Sequence, residues 1–257
     1  MPEGLEAEIW RAAIEVTVGR TITDASVDER VAPPGFASIV RDLRITAVRR
    51  AGKVVLVDTD GPTIGLHFGM TGRVVVDGSA PIERLSYASG RDEAEWNRLC
   101  LWTGPTDQPP AVRFNDPRRF GHVSLDPDLS RLGPDMFVIK PSELHAVLAR
   151  RRSAVKAALL DQHVVAGLGN LCVDELLWWA GIAPHRAGDD VTVEEARRLI
   201  GVMRRRLRVM LRRGGSTTGV IDPRVRSELP DCPRDGAPLR RARIGSRTTV
   251  WCAAHQR

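Results

Sequence analysis

The chain has 257 residues, a formal net charge of +6 and a sequence pI near 9.7. Hydrophobic residues make up 42% of it, which predicts a folded core and excludes a disordered chain. Apolar runs fall well short of the roughly 20 residues of a membrane span, and the first six residues include two acids and no basic cluster, unlike a signal peptide. We therefore expect a cytoplasmic protein without membrane contact, whose four cysteines are not in disulfides.

The first half of the chain predicts one helix followed by short strands. Apolar residues follow helical spacing from Gly4 to Val16, and Gly19 closes the segment. From Thr21 to Leu125, β-favouring segments alternate with glycine, proline and aspartate. The predicted strands are 45–48, 54–57, 63–66, 74–76, 98–102 and 111–114. Many short strands at close spacing predict a two-layer antiparallel sandwich.

The second half is predicted to be helical. Helices are expected over 141–152, 154–161, 171–180 and 192–213, with Pro141 and Thr192 at helix starts. Gly214 and Gly215 end the last helix, a linker follows, and two β-like segments lie within 232–257. The chain is therefore predicted to be α+β, with domains over 1–132, 133–225 and 226–257.

Basic residues become dense from Arg197 onward, where acids thin out. They are Arg197, Arg198, Arg204, Arg205, Arg206, Arg208, Arg212, Arg213, Arg240, Arg241 and Arg243. The alternative to a nucleic-acid surface is a solvated helix face with a basic tail, and the density favours nucleic-acid binding.

Pro2 becomes the amino terminus if Met1 is removed, as is common before a small residue. An α-amino group titrates at about 8, so far more of it is uncharged at neutral pH than of a lysine. Its attack on a sugar C1′ would give an iminium, as in Schiff-base catalysis. Glu3 is placed to move protons beside it, and Glu6 lies on the same side of the helix. The alternative is an ordinary helix start, where proline and acids are common.

Two loops carry residues suited to a DNA duplex. Lys53 opens one strand, and His67 ends another just before a glycine-bracketed turn with Met70 at its tip. Arg118 and Phe120 follow Asp-Pro in a second turn, and an exposed tip of this kind suits a wedge that fills the place of an extruded base. The alternatives are a hairpin with a packed methionine, and a surface turn with Phe120 packed inward.

Two further motifs lie in the second half. Gly167-Leu168-Gly169-Asn170 precedes a helix, where exposed backbone N–H groups and the Asn170 amide would bind a phosphate; the alternative is a turn that simply requires glycine. The pairs Cys232/Asp235 and Cys252/His255 have the layout of a zinc ribbon, although carboxylate is uncommon in structural sites. The alternative there is a metal-free hairpin held by its apolar residues.

In this order, the motifs resemble the Fpg/Nei family of bifunctional DNA glycosylases and AP lyases (formamidopyrimidine-DNA glycosylase and endonuclease VIII-like) along essentially the whole chain. The opening Met-Pro-Glu-Gly is similar to the Nei branch, whereas 67–72 and 116–121 are more similar to the Fpg branch. Residues 166–170 match the helix–two-turn–helix signature, and Arg247 falls where the family's finger arginine grips phosphate.

The resemblance implies a monomeric, nucleoid-associated base-excision repair enzyme that removes oxidised bases from double-stranded DNA and cuts the strand by β,δ-elimination. It implies a β-sandwich, a helix–two-turn–helix domain and a zinc-finger-like hairpin that holds Zn²⁺. Pro2 would be the nucleophile and Glu3 the proton-transfer residue, with Glu6 and Lys53 in the catalytic set. Lys53, His67, Asn170 and Arg247 would hold phosphates, and Met70, Arg118 and Phe120 would fill the vacated stack.

Three departures from the family pattern bear on substrate and metal. Asp235 and His255 replace two of the four usual finger cysteines, and Leu5 replaces a proline, which we expect to be tolerated. The segment from Gly215 to Cys232 is short for the Fpg branch, which weakens the case for 8-oxoguanine as the best substrate. The alternatives are a family member for bulky or alkylated lesions, or a damaged-DNA-binding protein without turnover. Pure binding needs no free secondary amine, which argues against the latter.

Overall fold

The computed structural model describes residues 2–82, 85 and 90–257. The chain divides into two compact units: unit 1 contains residues 1–2 and 6–130, and unit 2 contains residues 3–5 and 131–257. The C-terminal hairpin lies in unit 2 together with the helices. Every helix in the described part of the chain is too short or too polar to cross a bilayer.

Unit 1 is built on two four-stranded antiparallel sheets, with strand orders β1-β6-β7-β5 and β2-β3-β4-β8. The strands are β1 Asp24–Val27, β2 Ile45–Ala51, β3 Val54–Thr59, β4 Ile64–His67, β5 Arg73–Val76, β6 Asn97–Trp102, β7 Val112–Asn115 and β8 His122–Leu125. Leu66 of one sheet and Val74 and Phe114 of the other belong to the same hydrophobic core. The predicted two-layer sandwich is therefore confirmed.

Helix α1 (Gly4–Ile14) supplies side chains to this core. Trp10 and Ile14, one turn apart, are fully buried, and the Trp10 ring centroid lies 4.2 Å from that of Phe68. The helix ends two residues before the predicted Val16, because a 3₁₀ turn follows over Glu15–Thr17. A second, short helix, α2 (Phe36–Val40), was not predicted.

Unit 2 is a helical bundle that carries the hairpin. Its helices are α3 Pro141–Leu148, α4 Val155–Leu160, α5 Asn170–Ala180, α6 Val193–Arg212 and α7 Pro223–Glu228. The predicted start of α6 is confirmed: the Glu195 N–H donates to the Thr192 hydroxyl at 3.2 Å, and the Thr192 N–H donates to the Glu195 carboxylate at 2.9 Å. Helix α3 ends four residues before the predicted Arg152, because the Arg151 carbonyl instead accepts the Asp189 N–H.

The predicted linker after α6 contains α7. Asp222 caps this helix by accepting the Val225 N–H at 2.8 Å, and Pro223 occupies its first turn. Strands β9 (Leu239–Ile244) and β10 (Arg247–Cys252) then form the predicted hairpin. Gly245 and Ser246 have φ of +56° and +60°, as a two-residue hairpin turn requires.

Candidate active site

The carboxylate of Glu3 binds the amino end of α5, within unit 2. The N–H groups of Gly169 and Cys172 donate to its Oε2 at 3.0 and 3.1 Å, and the Leu171 N–H donates to its Oε1 at 2.7 Å. N–H groups at a helix start have no partner inside the helix, and the helix dipole favours negative charge there. Glu3 is only 1% exposed, so its side chain is held in a single orientation.

The same contacts correct the phosphate site predicted at the Gly-x-Gly turn. Its backbone N–H groups bind Glu3 rather than being open to DNA. A Cβ at residue 169 would overlap the Glu3 carboxyl carbon and lie 2.5 Å from Glu3 Cγ. Glycine is therefore required at 169 by the approach of a carboxylate.

Pro2 is one peptide bond from this anchored carboxylate. It is buried, and Met1 lies outside the described residues. The Gly4 N–H donates to the Gly167 carbonyl at 2.8 Å, which fixes the backbone two residues after Pro2. In unit 1, Glu6 is 2% exposed on α1. Both predicted carboxylates are therefore buried in the first residues of the chain.

Asn170 and Arg247 come close together in unit 2. Asn170 begins α5, and its side-chain amide donates to the Thr248 carbonyl at 3.1 Å. Arg247, next to Thr248, is exposed at the start of β10 and has no ion-pair partner among the described residues. The Asn170 side chain therefore contacts the residue that directly follows Arg247.

A buried ionic cluster, missed by sequence reasoning, holds the hairpin at this position. Asp174 of α5 accepts hydrogen bonds from Lys156 Nζ at 2.6 Å, from Arg226 Nη1 and from the Val250 N–H at 3.2 Å. The Lys156 ammonium also donates to the Thr248 carbonyl at 3.1 Å, as does Arg226 at 2.5 Å. Burial lowers the pKa of Lys156 below its usual range, although Asp174 opposes this shift. The only sequence signal was the presence of charged residues inside two apolar helices, Lys156 in α4 and Asp174 and Glu175 in α5.

In unit 1, strand pairing places Lys53 and His67 at neighbouring strand ends. Val54, the residue after Lys53, pairs with His67, which in turn pairs with His122. The His67 and His122 rings stack with centroids 4.8 Å apart. Burial lowers the pKa of His67 to about 4, and repulsion from His122 and Lys53 adds to the shift. Because His67 Nδ1 accepts the Gly69 N–H at 3.3 Å, the proton of the neutral ring is on Nε2, which can donate.

Asp116, which sequence reasoning treated only as the start of a turn, joins the two predicted DNA loops. It is completely buried. Its Oδ1 accepts the Thr71 hydroxyl and the Arg118 N–H, and its Oδ2 accepts the Gly121 N–H at 2.8 Å. The Asp116 carbonyl accepts Arg98 Nε at 2.7 Å. One carboxylate therefore fixes the backbone of its own loop and links that loop to the Thr71 side chain of the other.

Arg118 and Phe120 form an exposed tip above this carboxylate. Phe120 is 51% exposed, and the Arg118 guanidinium carbon lies 4.5 Å from its ring centroid. The alternative with Phe120 packed inward is therefore wrong. Gly69 has φ +55°, and a Cβ there would overlap the Phe120 backbone, so the two loops meet only with glycine at 69. Met70, next in the loop, is half-buried.

The structure brings the four predicted metal ligands together. The ligand atoms of Cys232, Asp235, Cys252 and His255 all lie within 4.8 Å of one another. His255 Nδ1 is 2.6 Å from Asp235 Oδ2, and Cys252 Sγ is 3.3 Å from Asp235 Oδ1. His255 Nε2 lies 3.3 Å from the Trp178 carbonyl, which as an acceptor leaves Nδ1 free to ligate. Two sulfurs, one nitrogen and one oxygen fit a four-coordinate zinc ion.

Two family descriptions match most of this chain. "Formamidopyrimidine-DNA glycosylase N-terminal domain" matches residues 1–123, and "Formamidopyrimidine-DNA glycosylase H2TH domain" matches residues 132–222. The chain belongs to the formamidopyrimidine-DNA glycosylase family. The family resemblance predicted from the motifs is therefore confirmed.

Individual relatives agree with this assignment. Formamidopyrimidine-DNA glycosylase of Paracoccus denitrificans (strain Pd 1222) is 37% identical over 234 residues, which cover 84% of this chain and 80% of the relative. The Acidithiobacillus ferrooxidans (strain ATCC 53993 / BNL-5-31) protein of the same name is 33% identical and covers 100% of both chains. The crystal structure of Lactococcus lactis Fpg (MutM), in complex with DNA containing N7-benzyl-Fapy-dG, matches 100% of both chains with a TM-score of 0.81 and 22% identity, which shows a common fold.

Proposed function

We propose that this family member is a base-excision repair DNA glycosylase with AP-lyase activity, acting on double-stranded DNA that contains oxidised bases. The observation that carries the proposal is the Glu3 carboxylate, fixed by three backbone N–H groups one peptide bond from Pro2. Family membership supports the glycosylase step. We further propose that the protein acts as a monomer on DNA in the cytoplasm or nucleoid.

The proposed nucleophile is the secondary amine that Pro2 gains when Met1 is removed. Its lone pair attacks C1′, the glycosidic bond breaks, and the base leaves with the bonding electron pair and takes up a proton. The attached nitrogen then gives up its proton, O4′ takes up a proton as the C1′–O4′ bond opens, and the nitrogen lone pair forms an iminium with C1′. Loss of a C2′ proton expels the 3′ phosphate, and loss of a C4′ proton then expels the 5′ phosphate. Water hydrolyses the iminium, which frees the Pro2 amine and releases the sugar remnant.

Glu3 is proposed to deliver the proton to O4′, because its position is fixed before the sugar arrives and therefore needs no reorganisation. Glu6 and Lys53 complete the proposed catalytic set. Glu6 is a buried acid of α1, and Lys53 is a cation whose charge acts on His67.

Phosphates around the flipped nucleotide are proposed to bind Lys53, His67, Asn170 and Arg247. His67 would donate from Nε2 as a neutral ring. Arg247 would form a charged pair with phosphate, since the described residues offer it no carboxylate. The exposed Arg118–Phe120 pair and Met70 are proposed to fill the gap in the base stack.

Zinc is proposed to bind Cys232, Asp235, Cys252 and His255. Bound there, it would supply a structural cross-link at the base of the hairpin rather than chemistry. Metal analysis of protein purified without chelator should give one zinc per chain. A Cys232→Ser variant should lose it, whereas Cys100→Ser, at a buried cysteine outside the cluster, should keep it. An equal zinc content in both variants would show that the cluster is not the binding site.

Borohydride trapping on abasic-site duplex DNA tests the nucleophile. Wild-type protein should give a covalent adduct at the amino-terminal peptide, because reduction turns the iminium into a stable amine. Pro2→Gly should cut strand cleavage severely with little change in DNA affinity. Normal cleavage by that variant, or an active protein that retains Met1 or a blocked terminus, would overturn the assignment. Binding without any adduct would favour the non-catalytic alternative.

A lesion screen tests the substrate class. The segment after α6 is tied to α5, since the Val220 and Ile221 N–H groups donate to the buried Glu175 carboxylate at 2.7 and 2.9 Å. A short, fixed segment covers less of a base, and the Lactococcus protein was crystallised with a benzyl-bearing lesion. Oxidised, alkylated and bulky lesions should therefore be compared in one duplex sequence. A preference for bulky adducts over oxidised bases would favour the alternative specialisation.

A further inference from the structure

Helix α6 carries an arginine-rich face that none of the assigned roles uses. From Arg197 to Arg213 the sequence has eight arginines and no acidic residue. Three of them have carboxylate partners: Arg197 with Glu194 at 3.4 Å, Arg198 with Glu195 at 3.6 Å and Arg206 with Glu175 at 3.0 Å. The other five are exposed and pair with no acid in the described part of the chain: Arg204, Arg205, Arg208, Arg212 and Arg213.

The opposite face of α6 fixes the direction of these side chains. Leu199, Met203, Leu207 and Met210 are buried in the core of unit 2, so the helix cannot rotate without losing that packing. The five arginines must therefore remain on the solvent side.

Helix stability does not explain this face. Arg204, Arg208 and Arg212 are spaced by four residues, so like charges stack on successive turns, which destabilises a helix. The helix dipole favours cations only in the last turn, which excludes Arg204, Arg205 and Arg208 as dipole partners. A surface built for solubility normally mixes both signs of charge, and acids are absent here.

We propose that Arg204, Arg205, Arg208, Arg212 and Arg213 form a second phosphate-binding surface for the backbone of double-stranded DNA. The planar guanidinium group of an arginine can donate two hydrogen bonds to the oxygens of one phosphate. All five residues are arginine, which fits this kind of contact. Residues 204–212 extend over about 12 Å of helix, a length comparable with three or four nucleotides of one strand at about 3.4 Å each. The choice of DNA as the partner rests on the proposed function, but the phosphate contact itself does not require a damaged base.

The test compares two double variants of the full-length protein. Arg204→Gln/Arg208→Gln removes two unpaired arginines of the surface. Arg197→Gln/Arg224→Gln removes the same charge from two exposed arginines that pair with acids on their own helices, Glu194 and Glu228. Affinity for an undamaged duplex several helical turns long is measured against salt concentration, and single-turnover cleavage of an abasic duplex is measured at saturating protein.

The surface variant should flatten the salt slope by about 1.8, at about 0.9 for each lost phosphate contact, while the control changes it by less than half of this. Cleavage at saturation should be unchanged, because the catalytic residues are untouched. An equal change of the salt slope in both variants would mean that only net charge matters, and would overturn the proposal. An unchanged salt slope in the surface variant would overturn it as well. Loss of RNA or acidic-protein binding with an unchanged DNA slope would also overturn it. A flattened slope in a protein that never cleaves would refute the proposed function alone.

Discussion

Glu3 combines two tasks in one side chain, since it anchors the amino end of the chain and stands beside the proposed nucleophile. Both of its oxygens accept backbone N–H groups from the start of α5. The electrostatic match with the helix end therefore orients the residue whose proton transfer is proposed. A change that keeps its shape but removes its charge, one acceptor oxygen and its ability to transfer a proton separates these tasks from packing.

Glu3→Gln should lower both stability and cleavage. A glutamine has one oxygen and one NH₂ group, so at least one N–H at the start of α5 would face a donor, at a cost of about 1–3 kcal/mol. Urea unfolding measures this cost. The matched control is Glu143→Gln, an exposed acid whose single acceptor role, toward the Lys140 N–H, a glutamine oxygen can keep. Equal stability of the two variants would mean that the Glu3 contacts are not formed in solution.

His67 should make the protein less stable in weak acid. Its pKa is about 4 in the folded protein against 6.5 ordinarily, so the unfolded chain binds more protons between these values. The stability is fully present above about pH 6.5 and is lost as the pH falls toward 4. His67→Asn should flatten this loss in unfolding experiments at pH 7, 6, 5 and 4.5. An identical pH dependence in the variant would contradict the burial of His67.

Sequence motifs point to the residues proposed to carry chemistry, but not to the residues that hold them in place. Pro2, Glu3, Lys53 and Asn170 belong to local patterns that the family resemblance makes specific. Asp116 was within a recognised motif, but its bonds with Thr71 and Arg98 join segments far apart in sequence, which no local pattern reveals. The glycine at 169 was recognised and misinterpreted, because its neighbour is a side chain from the other end of the chain.

At the scale of elements, α5 organises unit 2. The N–H groups of its first turn bind Glu3, and the Asn170 side chain donates to the hairpin at Thr248. The Asp174 carboxylate accepts hydrogen bonds from Lys156, Arg226 and the Val250 N–H. The position of the hairpin residue proposed to bind phosphate, Arg247, therefore depends on a helix that contributes little exposed surface of its own. Removing the central carboxylate is the most direct way to test this dependence.

Asp174→Ala should destabilise unit 2 by about 3–5 kcal/mol, because Lys156 and Arg226 would remain buried without a carboxylate. It should also weaken DNA binding through Arg247, since the Thr248 carbonyl is held by the same two cations. Urea unfolding and binding to an undamaged duplex measure the two effects. Asp222→Ala, which removes only the cap of α7, should cost about 1 kcal/mol and serves as the control. Similar costs for both variants would rule out a buried ionic cluster.

Prediction of helices succeeded where the apolar repeat runs over many residues. It failed for a very short helix and where a tertiary contact determines the helix end. The apolar repeat and capping box of α6 were sufficient to place its start within one residue. Helix α7 has a clear signal, Asp-Pro at its start, but its six residues are too few for a periodic pattern. The early end of α3 depends on the segment around Gly188, which is remote in sequence.

At the scale of the whole molecule, the amino-terminal helix belongs to both units. Leu5 is in the hydrophobic core of unit 2, whereas Ala7, Trp10 and Ile14 are in the core of unit 1. Composition and patterning predicted a β half and a helical half, and this is how the fold is built. They did not predict that residues 3–5 pack with the helical half, because a continuous helical pattern carries no mark of which core each residue joins.

Leu5→Ala and Trp10→Ala should therefore destabilise different halves of the molecule. Each removes a fully buried side chain, and losses of about 2–5 kcal/mol for leucine and 3–5 kcal/mol for tryptophan are typical. Hydrogen exchange resolved by segment should show lower protection in α5 and α6 for Leu5→Ala, and in the two sheets for Trp10→Ala. Because Leu5 lies two residues from Glu3, its loss should also slow cleavage. Uniform loss of protection across both halves in either variant would mean that the two cores unfold as one, and that α1 does not divide its apolar residues between them.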